Sequence, residues 1–282
     1  MIQRLAILGV GLLGGSVAKA VRAAGLAREV VGIGRDLARL EPAHREGVLD
    51  TTTTDPVVGV RDADFIVLAA PVLANTRLLE VVWPVADDAA LITDVGSTKA
   101  DVVAVARRLG AARPLGFVGS HPMAGSEQSG YRVARADLFR GANVIVTPTE
   151  TTETRAVKGI AQFWEALGAR VSTLDPESHD RVVAAISHLP HAVAYALVDA
   201  VARFEPDAWP FAARGFKDTT RIAASDPTVW KEIFLANRAA LAGSLAAFRE
   251  ALAELERLVA AGDGQALAAA LARTKKKREE LA

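Results

Sequence analysis

"RLAILGVGLLGGS", residues 4–16, is the stretch whose reading decides the fold. Arg4 to Leu8 form a short apolar run of the kind that makes a strand buried on both faces. Gly9, Gly11 and Gly14 follow in the spacing G-x-G-x-x-G, and a helical pattern opens behind them. Strand, glycine turn and helix in that order are the context in which this spacing binds a dinucleotide. Gly9 permits the tight turn, Gly11 lets the backbone approach a pyrophosphate, and Gly14 lets helix and strand pack closely. The helix start, with Leu12 and Leu13, presents free N–H groups and a positive dipole end to the phosphates. One early arginine and an apolar middle also give this N-terminus the look of a signal peptide. Its glycines interrupt the apolar part, so it reads as mature protein.

Outward from this unit the pattern repeats. Residues 29–33, 64–70, 90–94, 116–120, 143–147 and 170–174 are short apolar runs, and most are separated by stretches of helical length. The clearest helix spans 152–167, with Ile160, Phe163, Trp164 and Leu167 at helical spacing and Gly168 as its stop. Such alternation predicts an α/β fold, a mainly parallel Rossmann-type sheet with helices on both faces. After "DPES" (175–178) the strand signals vanish and the chain becomes alanine-rich and helical. The expected division is a dinucleotide-binding domain over 1–174 and an all-helical substrate and dimerisation domain over 175–282. Leu241, Leu245, Phe248, Leu252, Leu255 and Val259 follow a 4-3-4-3-4 spacing, which Leu267, Leu271, Thr274, Arg278 and Leu281 continue after "GDG" (262–264). This predicts a helical hairpin whose seam serves both its own packing and a homodimer.

Composition narrows the function classes. The 282 residues are 51% hydrophobic, and 33 Lys and Arg balance 33 Asp and Glu, which gives no electrostatic reason to expect nucleic acid or a membrane surface. No uncharged apolar run reaches the roughly 18 residues of a spanning helix. There is no cysteine, so disulfides and cysteine metal sites are excluded, and a reducing cytoplasm is the expected setting.

Candidate site residues lie where strands end. In "GIGRD" (32–36) the position expected to hold an acidic residue for a ribose is Gly34; Arg35 follows and can pair with a 2′-phosphate. This favours NADP and leaves NAD open. Asp36 either reaches the ribose or caps the next helix. Ala70 and Pro71, in "AAPV" (69–72), belong to a loop expected beneath the cofactor. "DVGS" (94–97) and "GSHP" (119–122) both end strands at the sheet's carboxyl edge, where ligands of open α/β sheets sit. A hydroxyl at Ser97 and an imidazole at His121 can hold an alcohol there while hydride leaves its carbon, with His121 taking the proton. Pro122 is expected to push His121 extended, and Gly119 and Gly125 to let the loop bend around it. Ser97 or Thr98 is expected to cap the following helix, Thr98 with Asp101 making a capping box. His188 and His191 flank Pro190 with no third ligand in view, so no metal is expected; one should face the pocket and the other satisfy a backbone carbonyl. Trp230 reads as core and His44 as surface.

"GVGLLGGS" (9–16), "DVGSTK" (94–99), "GSHPMAGSE" (119–127), "SHDRVVAAISHLPHAVAYAL" (178–197) and "GFKDTTRIAASDPTVW" (215–230) together closely resemble the prephenate/arogenate dehydrogenase family of tyrosine biosynthesis, over essentially the whole chain. The resemblance implies oxidation of the ring hydroxyl of prephenate or arogenate by NAD or NADP, with loss of carbon dioxide. It implies that His121 polarises that hydroxyl and that Ser97 orients the histidine and the nicotinamide. It places Arg221 on a substrate carboxylate, His191 near the substrate side chain and Glu127 at the pocket mouth. It puts Gly215 in the carboxylate-binding segment and His179 with Asp180 as a pair on the first helix of the second domain. Arg214 stands where the family often has a small residue, and either adds a substrate contact or points to solvent. No appended regulatory domain is expected, since the chain ends at Ala282. The competing readings are a β-hydroxyacid-type dehydrogenase, for which Lys217 would be the acid or base, and a non-catalytic dinucleotide sensor.

Overall fold

The computed structural model describes residues 1–126 and 128–281. The first half alternates β1 (Ile2–Leu8), α1 (Leu12–Ala23), β2 (Ala27–Ile33), α2 (Leu37–Arg45), β3 (Thr51–Thr53), α3 (Pro56–Val60), β4 (Phe65–Leu68), α4 (Val72–Val82), β5 (Leu91–Asp94), α5 (Ala100–Gly110) and β6 (Gly116–Pro122). Then come β7 (Asn143–Thr147), α6 (Thr154–Ala166) and β8 (Arg170–Thr173). These strands form one sheet in the order β3-β2-β1-β4-β5-β6-β7-β8. Period-two alternation splits its apolar residues between two cores. Leu5, Ile7 and Val67 meet Val17, Ile160 and Trp164 on one face. Ala6, Leu8 and Ile66 meet Leu79, Trp83 and Val102 on the other.

Two features depart from the sequence reading. The short strand β3 was not expected; its three threonines carry no apolar run, and pairing to β2 makes them a strand. In addition, β6 extends through His121 and Pro122, which pair with Ile145 and Val144 of β7. That pairing is antiparallel, whereas every other pair in the sheet is parallel. Among the described residues of 123–142 there is a short 3₁₀ turn at Tyr131–Val133 and no crossover helix to return the chain to the starting edge, so β7 runs back.

Beyond β8 the chain is helical: α7 (Pro176–Val183), a π-pitched turn (Ala184–His188), α8 (Leu189–Phe204), α9 (Arg214–Thr220), a 3₁₀ turn (Arg221–Ala224) and α10 (Pro227–Ala236). From Pro176 to Phe204 they run as one 29-residue rod, long and apolar enough by length and composition to cross a membrane. The sequence reading missed this because no single uncharged run is long enough; His179, Asp180 and His188 are nonetheless buried within the protein along that rod. By compactness the chain forms two units that divide at 237/238, so the helices from Pro176 to Ala236 group with the sheet. The reason is that α7 grips the N-terminal end of α5 through side-chain hydrogen bonds, described below.

The second unit, residues 238–282, is the expected hairpin. It comprises α11 (Arg238–Ala261) and α12 (Gly264–Glu279), turned by Gly262 at φ +65° and capped by Asp263, which accepts from Ala266 N at 2.9 Å. Its seam leucines stay open: Leu252, Leu255 and Leu271 are 52%, 40% and 54% exposed.

Candidate active site at the carboxyl edge of the sheet

The glycine turn has the geometry that a dinucleotide needs. Gly9 has φ +100°, and a Cβ there would lie 2.6 Å from the Ala69 carbonyl oxygen; one on Gly14 would lie 2.0 Å from the Gly9 oxygen. A Cβ on Gly11 would meet nothing within 4 Å. Thus Gly9 and Gly14 let β1, α1 and the end of β4 close together, and Gly11 keeps one side of the turn open. No side chain caps α1 at Gly11 and its first turn carries no acidic residue, so its leading N–H groups, at Leu12 and Leu13, are not competed for by a carboxylate. This cradle fits a pyrophosphate. Ala70 and Pro71 follow β4, in a turn pinned by buried Asn75, whose Oδ1 accepts from Ala70 N at 3.1 Å. Asp36 caps α2, accepting from Ala38 N at 2.9 Å. Arg35 beside it is exposed.

His121 is 8% exposed and held by a second histidine, which a carboxylate holds in turn. Its Nδ1 lies 2.9 Å from His179 Nε2, and His179 Nδ1 lies 2.8 Å from Asp180 Oδ1. Both Asp180 oxygens also accept from the start of α5, from Lys99 N at 2.7 Å and Ala100 N at 3.0 Å. The chain of donors follows. A carboxylate bound by two backbone N–H groups only accepts, so His179 Nδ1 carries a proton and its Nε2 is an acceptor. His121 Nδ1–H therefore donates to it, and His121 Nε2 is left with its lone pair. Burial, then His179, Lys99 and His188, hold the His121 imidazole well below the usual histidine range, so it stands neutral.

This arrangement corrects three expectations. His121 is extended as expected, but it and Pro122 belong to strand β6 and not to a loop, and the register of β6 on β7 aims the ring. Gly119 serves close packing instead of a bend, since a Cβ on it would lie 2.6 Å from Thr147 Oγ1; Gly125 sits in open space. The expected cap by Ser97 or Thr98 with Asp101 is absent among the described residues: α5 starts after Lys99 without a cap from its own neighbours, and Asp180 supplies it from 80 residues away. Ser97 is half-buried in the same turn, but the hydrogen bond that orients His121 comes from His179.

A polar knot fixes the strand beneath the ring. Lys99, wholly buried, bonds Asp94 Oδ2 and donates to the Ser120 carbonyl oxygen at 2.8 Å. Burial pushes the Asp94 carboxyl up and the Lys99 ammonium down, each opposed by the other's charge. Ser120 Oγ is 2.7 Å from Thr93 Oγ1 and accepts from Trp164 Nε1 at 3.0 Å. Sequence reading missed this knot. Its one signal was a lysine and an aspartate in a stretch otherwise bound for the core.

On the helical side, His191 Nδ1 bonds the Ser187 carbonyl oxygen at 2.9 Å, and its ring stacks on Trp230 with centroids 3.4 Å apart. Trp230 is therefore a wall beside His191 and only half-buried, not core. Burial lowers His191, and the Arg221 cation lowers it further. Arg221 sits exposed where α9 gives way to the 3₁₀ turn, and Gly215 is exposed at the start of α9. His188 is sealed in the π turn with Nδ1 3.2 Å from Asn237 Nδ2, and burial lowers it to about 4. Arg214 points to solvent, pairing with Asp218 at 3.2 Å, and Lys217 is exposed. Glu127 lies outside the described residues. No group of three His, Cys, Asp or Glu among the described residues could hold a metal ion.

Comparison with known proteins fits this geometry. Residues 17–173 match the family described as prephenate dehydrogenase, nucleotide-binding domain, and residues 175–273 its dimerization domain. A "Prephenate dehydrogenase" of Bacillus subtilis is 37% identical over 84% of this chain, which spans 65% of that protein's length. A "Cyclohexadienyl dehydrogenase" of Zymomonas mobilis is 34% identical over 95% of this chain and 92% of its own. Among solved structures, prephenate dehydrogenase from A. aeolicus, in complex with hydroxyphenyl propionate and NAD+, superposes with a TM-score of 0.93 at 34% identity, covering 100% of this chain and 99% of that one.

Proposed function

The chain belongs to the prephenate dehydrogenase family, and from that premise we propose that it oxidises the ring hydroxyl of prephenate or arogenate, with decarboxylation, on the route to tyrosine. It is an NAD(P)-dependent dehydrogenase. Bound at the glycine turn by Gly9, Gly11, Leu12, Leu13, Gly14, Ala70 and Pro71, the nicotinamide coenzyme supplies the hydride acceptor. His121 Nε2 accepts the hydroxyl proton, and Ser97 sits at the neighbouring strand end to hold the same oxygen. Arg221 binds a substrate carboxylate as a planar, bidentate cation, with Gly215 in the same segment. His191, braced by Trp230, lies beside the substrate side chain. Oxidation places a carbonyl in conjugation with the carbon that bears the carboxylate. Carbon dioxide then leaves because the ring accepts the electron pair and becomes aromatic, so the protein has only to position the substrate and manage one proton.

One observation carries the reading: a neutral imidazole at the carboxyl edge of the sheet, its Nδ1 tied into the protein and its Nε2 lone pair left for substrate. Lys217, the base that a β-hydroxyacid-type enzyme would use, is exposed. Arg35, exposed at the end of β2, favours NADP. Zero cysteine supports a cytoplasmic setting.

The test is a matrix of initial rates, prephenate and arogenate against NAD+ and NADP+. Turnover with at least one pair is expected, and none with any pair would overturn the proposal. In Arg35→Ala, NADP+ use should weaken about tenfold more than NAD+ use, a difference of about 1.4 kcal/mol. Equal effects on the two would remove the NADP preference.

A further inference from the structure

We infer that Asp94 and Lys99 are positioning residues for the reaction: their buried pair sets the spacing between Ser97 and His121, the two groups that must meet one substrate hydroxyl. Lys99 is 0% exposed and Asp94 1% exposed, so the pair acts through the backbone it holds. The inference rests on the dehydrogenase reading above and goes beyond it. That reading gives roles to Ser97 and His121 but none to what keeps them in register.

The need arises in the sheet. β5 ends at Asp94, and the turn behind it carries Ser97; β6 carries His121 near its own end. The parallel ladder between the two strands pairs Thr93 with Val118 and goes no further toward the site. Past that rung β6 is held by β7 on its other edge, through Ser120 with Val146 and His121 with Ile145. On the β5 edge side chains take over. Asp94 Oδ1 accepts from Ser120 N at 3.3 Å, and Oδ2 accepts from Gly96 N at 2.8 Å. Oδ2 also binds Lys99 Nζ, which donates to the Ser120 carbonyl oxygen at 2.8 Å. Ser120 directly precedes His121, and Gly96 directly precedes Ser97. One carboxylate thus grips the residue before each reacting group, and the ammonium closes the ring of bonds. Lys99 holds His121 by a second route as well: its main-chain N–H donates to Asp180, which holds His179 against the His121 imidazole.

Stability alone does not account for an ion pair at this place. Taking two charges out of water is costly, and apolar side chains of like volume hold a core as well or better. What the pair offers over them is direction. A carboxylate only accepts and an ammonium only donates. Together they match the N–H groups of Gly96 and Ser120 and the carbonyl of Ser120, with no hydroxyl or amide that could turn over. Gly96 is cut to the same fit. A Cβ there would lie 2.8 Å from Asp94 Oδ2 and 3.7 Å from Lys99 Nζ, so only the bare backbone leaves the pair its room.

The experiment measures steady-state rates of Lys99→Met and Gly96→Ala against wild type, with prephenate and arogenate, below each variant's melting temperature. Coenzyme binding without substrate checks that each variant is folded. Lys99→Met keeps the side-chain length and removes the charge and the donor. Its kcat should fall about 10²-fold, the scale of a misplacement of about 1 Å. Substrate and coenzyme KM should stay within about twofold, as for an interaction felt only in the transition state. A pair that served stability alone would lower the melting temperature and leave kcat per folded chain at the wild-type value. Gly96→Ala keeps every polar group and presses a methyl into the pair from inside the protein; its kcat should fall about tenfold with the same KM pattern. It supplies the answer if Lys99→Met does not fold. Wild-type kcat in the folded variant, or a raised KM with kcat unchanged, would overturn the positioning role. If wild type turns over neither substrate, the dehydrogenase reading is what fails.

Discussion

His188 is a histidine that the fold keeps uncharged. It is 0% exposed, its Nδ1 meets Asn237, and burial brings it from near 6.5 down to about 4. Between those two values the unfolded chain binds a proton that the folded chain refuses, so stability must fall as the medium is acidified. The contribution is intact above about pH 6.5 and lost as pH drops through about 4, with a size of about 3 kcal/mol. Urea unfolding at pH 7 and pH 4.5 should show this loss, and His188→Gln should shrink it; an equal loss in the variant would place the acid sensitivity elsewhere. At this scale the sequence was legible where a motif marks a residue. His121 and Asp36 lie where their strands end, as expected. Trp230 was not legible as a site wall, because an indole at helical spacing looks the same whether it covers core or the face of His191.

At the scale of elements, the turn from β1 into α1 separates two uses of glycine that the spacing alone cannot. A methyl on Gly14 would strike the Gly9 carbonyl oxygen, whereas one on Gly11 would enter open space. Gly14→Ala should therefore destabilise the folded chain by about 1–3 kcal/mol through overpacking, with or without coenzyme. Gly11→Ala should leave the melting temperature of the free protein unchanged and weaken coenzyme binding about tenfold or more, because the added methyl occupies the approach to the backbone. Thermal melts with and without NAD+ or NADP+ distinguish the two, and equal destabilisation by both would show that the turn has no reserved space. This element was readable because all its partners lie within a few residues. The start of α5 was not. Its orphan amides are met by Asp180, and a cap donated across 80 residues leaves no local mark. The knot of Asp94, Lys99 and Ser120 escaped for the same reason: its members read as one strand end and one loop, and only the sheet order makes β5 and β6 neighbours.

The whole molecule leaves apolar surface that a single chain does not cover. Of the sixteen residues of α8 only Ala194 is buried, and Phe204 and Phe211 are 89% and 84% exposed. In the hairpin, Leu252, Leu255 and Leu271 are about half exposed and Val259 is 61% exposed, at the spacing that a helical seam uses. A stable interface needs about 800 Å² from each partner, and a closed twofold pair would bring the same face of each chain together, so one substitution is felt twice. The sequence expressed this as a heptad-like rhythm but could not say whether its own hairpin consumed it; the exposure of the seam leucines shows that it does not. Wild type should therefore sediment as two chains at micromolar concentration. Leu252→Glu with Leu255→Glu puts four carboxylates into an apolar seam and should yield single chains of lower melting temperature. If wild type and the double variant both sediment as dimers, the hairpin seam is not the interface. If wild type is already a single chain, the exposed leucines serve something other than self-association.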